Sequence, residues 1–98
     1  MTLSDLLEDI QALDEELRAY ERKYGVLTET FAEAYAAGEE PPHAAWLQDW
    51  TAWASAHQLW ERRREQYRVA LKAFRDQGHS TSEMMERAAR HESIPVPA

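Results

Sequence analysis

Hydrophobic residues recur at alternating spacings of three and four along the first third of the chain. This first seam consists of Leu3, Leu6, Ile10, Leu13, Leu17, Tyr20, Tyr24, Leu27 and Phe31. The spacing is that of the a and d positions of a heptad repeat, which lie on one stripe of a helix. The residues between them are mostly Asp, Glu, Gln, Arg and Ala. The pattern predicts one amphipathic helix over about residues 3–37.

Gly25 is the one interruption inside this predicted helix. Glycine costs about 1 kcal/mol relative to alanine in a helix interior. The seam nevertheless keeps its phase across Gly25, and we therefore favour a continuous helix. The alternative is a break at Gly25 and a second helix that begins near Thr28 or Thr30.

A second seam follows Gly38 and the two prolines at 41 and 42, which end the first helix. Its positions are Trp46, Trp50, Trp53, His57, Trp60, Arg64, Tyr67, Leu71 and Phe74. They predict a helix over about residues 43–77, closed by Gly78. Two helices of equal length joined by a short turn predict an all-α fold built on a long, antiparallel, coiled-coil-like hairpin.

The distribution of charge predicts how the two helices align. Folding the chain about residue 40 brings together positions whose numbers sum to about 80. The acidic stretch 5–16 would then lie beside the basic stretch 64–75. Opposite charges flanking a seam favour the antiparallel orientation.

The second seam also predicts association. It carries all four tryptophans, which is more aromatic area than a two-helix hairpin covers. We expect a partner protein or a second copy to cover them, most simply in a two-fold dimer that forms a four-helix bundle. The predicted partner or oligomer interface consists of Trp46, Trp50, Trp53, Trp60, Tyr67, Leu71, Phe74, Met84 and Met85.

His57 and Arg64 are the polar members of the second seam. Isolated polar residues at such positions set the register of paired helices, and this is the role we predict for both. A buried histidine acting as a pH switch or proton carrier is the alternative for His57. That role needs a neighbouring carboxylate or nucleophile, which the seam itself does not supply.

A short helix over about residues 81–91 should follow Gly78. Ser80 and Glu83 have the spacing of a capping box, and the helix carries the adjacent methionines Met84 and Met85. This helix either packs on the hairpin or docks to a partner, for which methionine is an adaptable contact residue. Residues 1–91 are therefore predicted to form a single helical domain, and residues 92–98, with two prolines, a flexible extended tail.

Composition narrows the class of protein. The chain has 98 residues, no cysteine and a net charge of −7. It lacks a signal segment, an apolar membrane span and the spacing of any catalytic or metal-binding motif. We predict a cytoplasmic protein that is not an enzyme, with no cofactor, no metal and no membrane partner. The basic run at 62–75 is interrupted by acidic residues, which argues against nucleic acid as a partner.

The chain also resembles a known group of proteins over about residues 3–75. The stretches are LLEDIQALDEELRAYERKYGVLTETFAEAY, with its acidic heptad helix and K-Y-G step, and the Trp-rich WLQDWTAWASAHQLWERRREQY. They are similar to small helical proteins that form the antitoxin half of prokaryotic toxin–antitoxin pairs. The resemblance implies an antitoxin that binds and silences a partner toxin, and it assigns no site residues. No DNA-binding element is recognisable, so the resemblance does not extend to autorepression.

Two functions follow from these patterns. The first is a protein–protein interaction module of the antitoxin type, which binds and neutralises or regulates a partner protein. The second is a self-assembling structural or adaptor bundle without a toxin partner. The first predicts exposed apolar surface on the chain alone, and the second a stable homo-oligomer whose tryptophans are buried.

Overall fold

The computed structural model describes residues 1–97, which are helical apart from turns and one isolated β-bridge. The elements are α1 (Leu3–Tyr24), α2 (Thr28–Ala36), a 3-10 turn (Ala44–Trp46), α3 (Leu47–Asp76) and α4 (Thr81–Ala89). The predicted all-α class is thereby confirmed. Dimerisation into a four-helix bundle concerns a second copy of the chain and stays a prediction.

The continuous first helix predicted over residues 3–37 is wrong, and the alternative break at Gly25 is correct. Gly25 has a φ of 77°, in the left-handed region that glycine enters without a steric penalty. The Glu21 carboxylate then accepts the backbone N–H of Thr28 at 2.8 Å, where α2 begins. The break turns Leu27, predicted to lie in the seam, outward to 60% exposure, while Phe31 stays buried.

The second and third predicted helices are close to those observed. Residues 44–46 form a 3-10 turn, so α3 starts at Leu47 and ends at Asp76, before Gly78 with a φ of 88°. The predicted capping box of α4 is present, because Ser80 Oγ accepts the Glu83 N–H at 3.1 Å and Glu83 Oε1 accepts the Ser80 N–H at 3.4 Å. This helix ends at Ala89, slightly earlier than predicted.

The chain divides into two compact units, each with its own core. Gln11–Glu61 form the central unit, and Met1–Ile10 together with the chain from Arg62 onward form the terminal unit. The domain predicted over residues 1–91 therefore has two hydrophobic cores.

Within the central unit, the end of α1 runs antiparallel to the start of α3, and α2 packs against both. Its buried core consists of Leu13, Leu17, Phe31, Trp53, Ala54 and Ala56. The predicted alignment of α1 with α3 is wrong by about six residues. The prediction places Trp60 opposite Tyr20, but the Trp60 indole donates a hydrogen bond to Asp14. The residue that stacks on Tyr20 is Trp53. The prediction assumed one continuous helix up to a turn near residue 40. Because α1 ends at Tyr24, the position of that turn does not fix how α1 aligns with α3.

Within the terminal unit, the start of α1 packs against the end of α3, α4 and the last residues. The buried core consists of Leu3, Ala70, Phe74, Met84 and Ile94. The C-terminal tail is extended, as predicted, but residues 94–96 are bound to the terminal unit by packing and backbone hydrogen bonds. Ile94 is buried, its carbonyl accepts the Leu3 N–H at 2.8 Å, and the Val96 N–H donates to the Met1 carbonyl. The final residue, also assigned to the predicted flexible tail, lies outside the described residues.

Candidate protein-binding surface

Trp53, predicted at an interface, lies in the core of the central unit. Its side chain is 1% exposed and stacks on Phe31, with ring centroids 4.0 Å apart and an interplanar angle of 3°. Its indole N–H donates to the Thr28 hydroxyl at 3.1 Å. Helix α2 therefore supplies the covering surface that the sequence suggested a second protein would provide.

The other three tryptophans are half-buried within the same unit. Trp60 donates its indole N–H to Asp14 at 2.6 Å, and Trp46 packs edge-on against Tyr24. Trp50 packs edge-on against Phe31, and its buried Nε1 has no hydrogen-bond partner among the described residues. Much of the aromatic area thus contributes to the folding of the chain itself.

The two polar seam residues differ in their surroundings. His57 is half-buried, with its ring stacked on Trp60 and its Nδ1 3.3 Å from the Glu61 carboxylate. Arg64 is exposed, whereas its neighbour Arg63 is half-buried and donates to Asp9 at 3.2 Å. In this part of α3, Arg63 therefore pairs with α1, one position before the predicted seam residue.

In the terminal unit the predicted interface residues divide between core and surface. Phe74 and Met84 are buried, Tyr67 and Leu71 are half-buried, and Met85 is 66% exposed. Adjacent residues on a helix point in directions about 100° apart. Helix α4 therefore packs on its unit through Met84 and presents Met85 outward. Docking of this helix to a partner stays a prediction.

Met85 lines a cleft of about 530 Å³, which we call the methionine cleft. Its apolar lining residues are Leu3, Leu7, Tyr67, Met84, Met85, Ala88 and Ile94. Its polar lining residues are Thr2, Ser4, Asp5, His91, Glu92 and Ser93. Sequence reasoning missed Leu7, because it lies outside the seam. The sequence did contain a signal, because Leu7 is an apolar residue directly after the seam residue Leu6 and therefore points away from the seam. In the structure its side chain is 47% exposed.

Two carboxylates, those of Asp5 and Glu92, line the methionine cleft. The pKa of the Asp5 carboxyl is lowered mainly by the hydrogen bond from the Thr2 backbone N–H, and next by the Thr2 side chain. The hydrogen bond from Arg90 lowers the pKa of Glu92. Both carboxylates are therefore ionised at neutral pH, and no lysine or arginine is found among the lining residues that the structure describes.

A second cleft, of about 520 Å³, lies in the central unit and is more polar. Four carboxylates line it, and three of them already bind groups of the same unit. Asp14 accepts the Trp60 indole N–H, Glu21 accepts the Thr28 N–H, and Glu61 lies beside His57. The methionine cleft is the less polar of the two, so it is the stronger candidate for a binding surface.

In the stretch 1–97, no three His, Asp or Glu side chains come together as metal ligands. No helix of this stretch combines the length and apolar character needed to cross a bilayer. No family model matches the chain, and no curated protein or solved structure shows significant similarity to it.

Proposed function

We propose that this chain is a protein–protein interaction module of the antitoxin type, acting in the cytoplasm, which docks a partner protein in the methionine cleft and neutralises it. One observation carries the choice of site. Met85, the most exposed large apolar side chain among the described residues, and Leu7, which is 47% exposed, line the same cleft. Methionine side chains adapt their shape to a partner, and exposed apolar patches mark interaction surfaces.

The packing of the tryptophan side chains within the central unit supports the choice of the methionine cleft as the docking site. A partner is not needed to bury Trp53, and the remaining indoles pack against residues of the central unit. The apolar surface left over in the terminal unit is centred on α4 and α1. The antitoxin class itself is proposed on the resemblance of residues 3–75, together with the acidic balance that favours encounter with a basic partner.

The methionine cleft predicts how strongly Met85 contributes to binding. Burying a whole methionine side chain stabilises a complex by about 1.5–3 kcal/mol. Since roughly two-thirds of this side chain is exposed, its burial contributes up to about 1–2 kcal/mol, or roughly five- to thirtyfold in affinity. Met85→Gln should weaken partner binding by that factor.

The test uses the full chain, expressed in its own host, as bait. Val69→Gln is the matched control, because Val69 is 48% exposed in the same unit but does not line the cleft. Wild type and V69Q should retain one stoichiometric partner that M85Q loses. Expression of that partner alone should arrest growth, and wild type but not M85Q should restore it. Equal retention by M85Q would show that the cleft is not the docking site.

The self-assembling bundle is the second candidate, and exposed apolar residues of the central unit favour it. Leu27 and Leu47 are both more than half exposed, and Val26 and Tyr35 of the same unit are each 40% exposed. The purified chain would then be a stable homodimer by light scattering, disrupted by Leu27→Gln or Leu47→Gln and unchanged by Met85→Gln.

A further inference from the structure

We propose that the occupant of the methionine cleft is an amphipathic helix of the partner protein whose apolar face is flanked by lysine or arginine. This inference rests on the proposed function, for which the cleft is the docking site, and it names the chemistry of the partner segment.

The spacing of the lining residues favours a helical occupant. Helix α1 contributes Leu3 and Leu7, and α4 contributes Met84 and Ala88, which are pairs of residues one turn apart. In each pair the first residue is buried in the core of the unit and the second is exposed. Two such ridges form a groove that accepts the apolar i, i+3, i+4 and i+7 positions of a third helix. Ala88 is small, which allows the backbone of the third helix to approach closely.

The charge of the cleft favours basic flanks on that helix. Asp5 lies in the first turn of α1, and Glu92 follows the end of α4. Each is already held in place within the terminal unit, Asp5 by Thr2 and Glu92 by Arg90 at 2.8 Å. No lysine or arginine of the described chain lines the cleft, so a cation brought by the occupant meets the carboxylate of Asp5 directly. It also meets the carboxylate of Glu92, which it shares with the guanidinium of Arg90.

The same charges disfavour two other occupants. A two-fold contact would place the methionine clefts of two copies against each other. The carboxylates of both copies would then come together, and neither cleft has a lysine or arginine among its lining residues to pair with them. A membrane surface is also disfavoured, because the cytoplasmic leaflet carries anionic lipids that Asp5 and Glu92 would repel.

The test uses the full chain and three synthetic peptides of about 15 residues, long enough to form a helix. All three carry leucines at i, i+3, i+4 and i+7, with flanking positions that are lysine and arginine, glutamine, or glutamate. Binding is measured by fluorescence anisotropy of labelled peptide. The methyl NMR signals of Met84 and Met85 report whether the peptide enters the cleft.

We expect the basic peptide to bind most tightly and to shift both methyl signals. Each exposed ion pair should contribute a factor of roughly 1.5 to 5 in affinity, and the difference between peptides should shrink as salt is added. Met85→Gln should weaken all three peptides by a similar factor, and Val69→Gln should leave them unchanged.

Charge variants test the role of the carboxylates separately. Glu92→Gln should weaken the basic peptide by roughly 1.5- to 5-fold without changing the glutamine peptide. Glu86→Gln is the matched control, since Glu86 lies on α4 but does not line the cleft. Glu92→Lys should improve binding of the glutamate peptide.

Several results would overturn the inference. One is equal or tighter binding of the glutamate or glutamine peptide, and another is a homodimer of the chain that M85Q dissociates. If no peptide binds but M85Q still loses the host partner, the proposed function stands and this inference fails. If the basic peptide binds while M85Q keeps the host partner, the cleft has the inferred chemistry and the proposed docking site fails.

Discussion

Substituting Thr28 with valine isolates one buried hydrogen bond of the central unit. Thr28 is buried, and its hydroxyl accepts the indole N–H of Trp53 at 3.1 Å. Valine keeps the β-branched shape and leaves no large cavity, but it removes the acceptor. The backbone N–H of Thr28 still donates to the Glu21 carboxylate, so the start of α2 keeps its partner.

The expected cost follows from the burial of Trp53. A donor left buried without an acceptor costs about 1–3 kcal/mol. That is a large share of the roughly 5–15 kcal/mol by which a domain of this size is stable. At roughly 4–8 °C per kcal/mol, the melting temperature should fall by roughly 4–24 °C.

The measurement is equilibrium unfolding in urea, followed by far-ultraviolet circular dichroism. Thr30→Val is the control, because Thr30 is exposed on the same helix and undergoes the same chemical change. Thr28→Val should also cost less in a Trp53→Phe background, where the indole N–H is already absent. If T28V matches T30V in stability, or if the two core substitutions are additive, the hydrogen bond does not contribute as argued.

Three further predictions concern the remaining parts of the fold. Gly25→Ala should destabilise the chain by about 1–2 kcal/mol in urea unfolding, although alanine favours helices, because φ is 77° there. Ile94→Ala should cost about 2–4 kcal/mol in the same assay, since this buried tail residue packs with Leu3. The hydrogen bond with His79 and, after it, the one with the Ser80 backbone lower the pKa of Glu83 below 4.5. The ionised Glu83 therefore stabilises the fold above pH 4.5, and this stabilisation is lost as the pH falls through the lowered folded-state pKa. Glu83→Gln should remove that part of the acid-unfolding curve, whereas an unchanged curve would contradict it.

The candidate surface could be predicted in part. The paired methionines of α4 identified the helix that lines the cleft, because adjacent apolar residues on a short helix cannot both face one core. Leu7, Asp5 and Glu92 could not be assigned, since their proximity to Met85 depends on how the two chain ends pack. The prediction that Trp53 lies at an interface failed because the sequence does not show that Phe31 covers this side chain.

The sequence by itself determined that the chain is helical, and it located the start of α1, the end of α3 and the start of α4. Hydrophobic periodicity, the Ser80–Glu83 capping box and the glycines at 38 and 78 are signals between residues a few positions apart. Only the tertiary structure decided the break at Gly25, the alignment of α1 with α3 and the burial of Ile94. These depend on contacts between residues far apart in the chain, such as Thr28 with Trp53 and Leu3 with Ile94. A local pattern carries no information about which distant side chain will complete a hydrogen bond or fill a core.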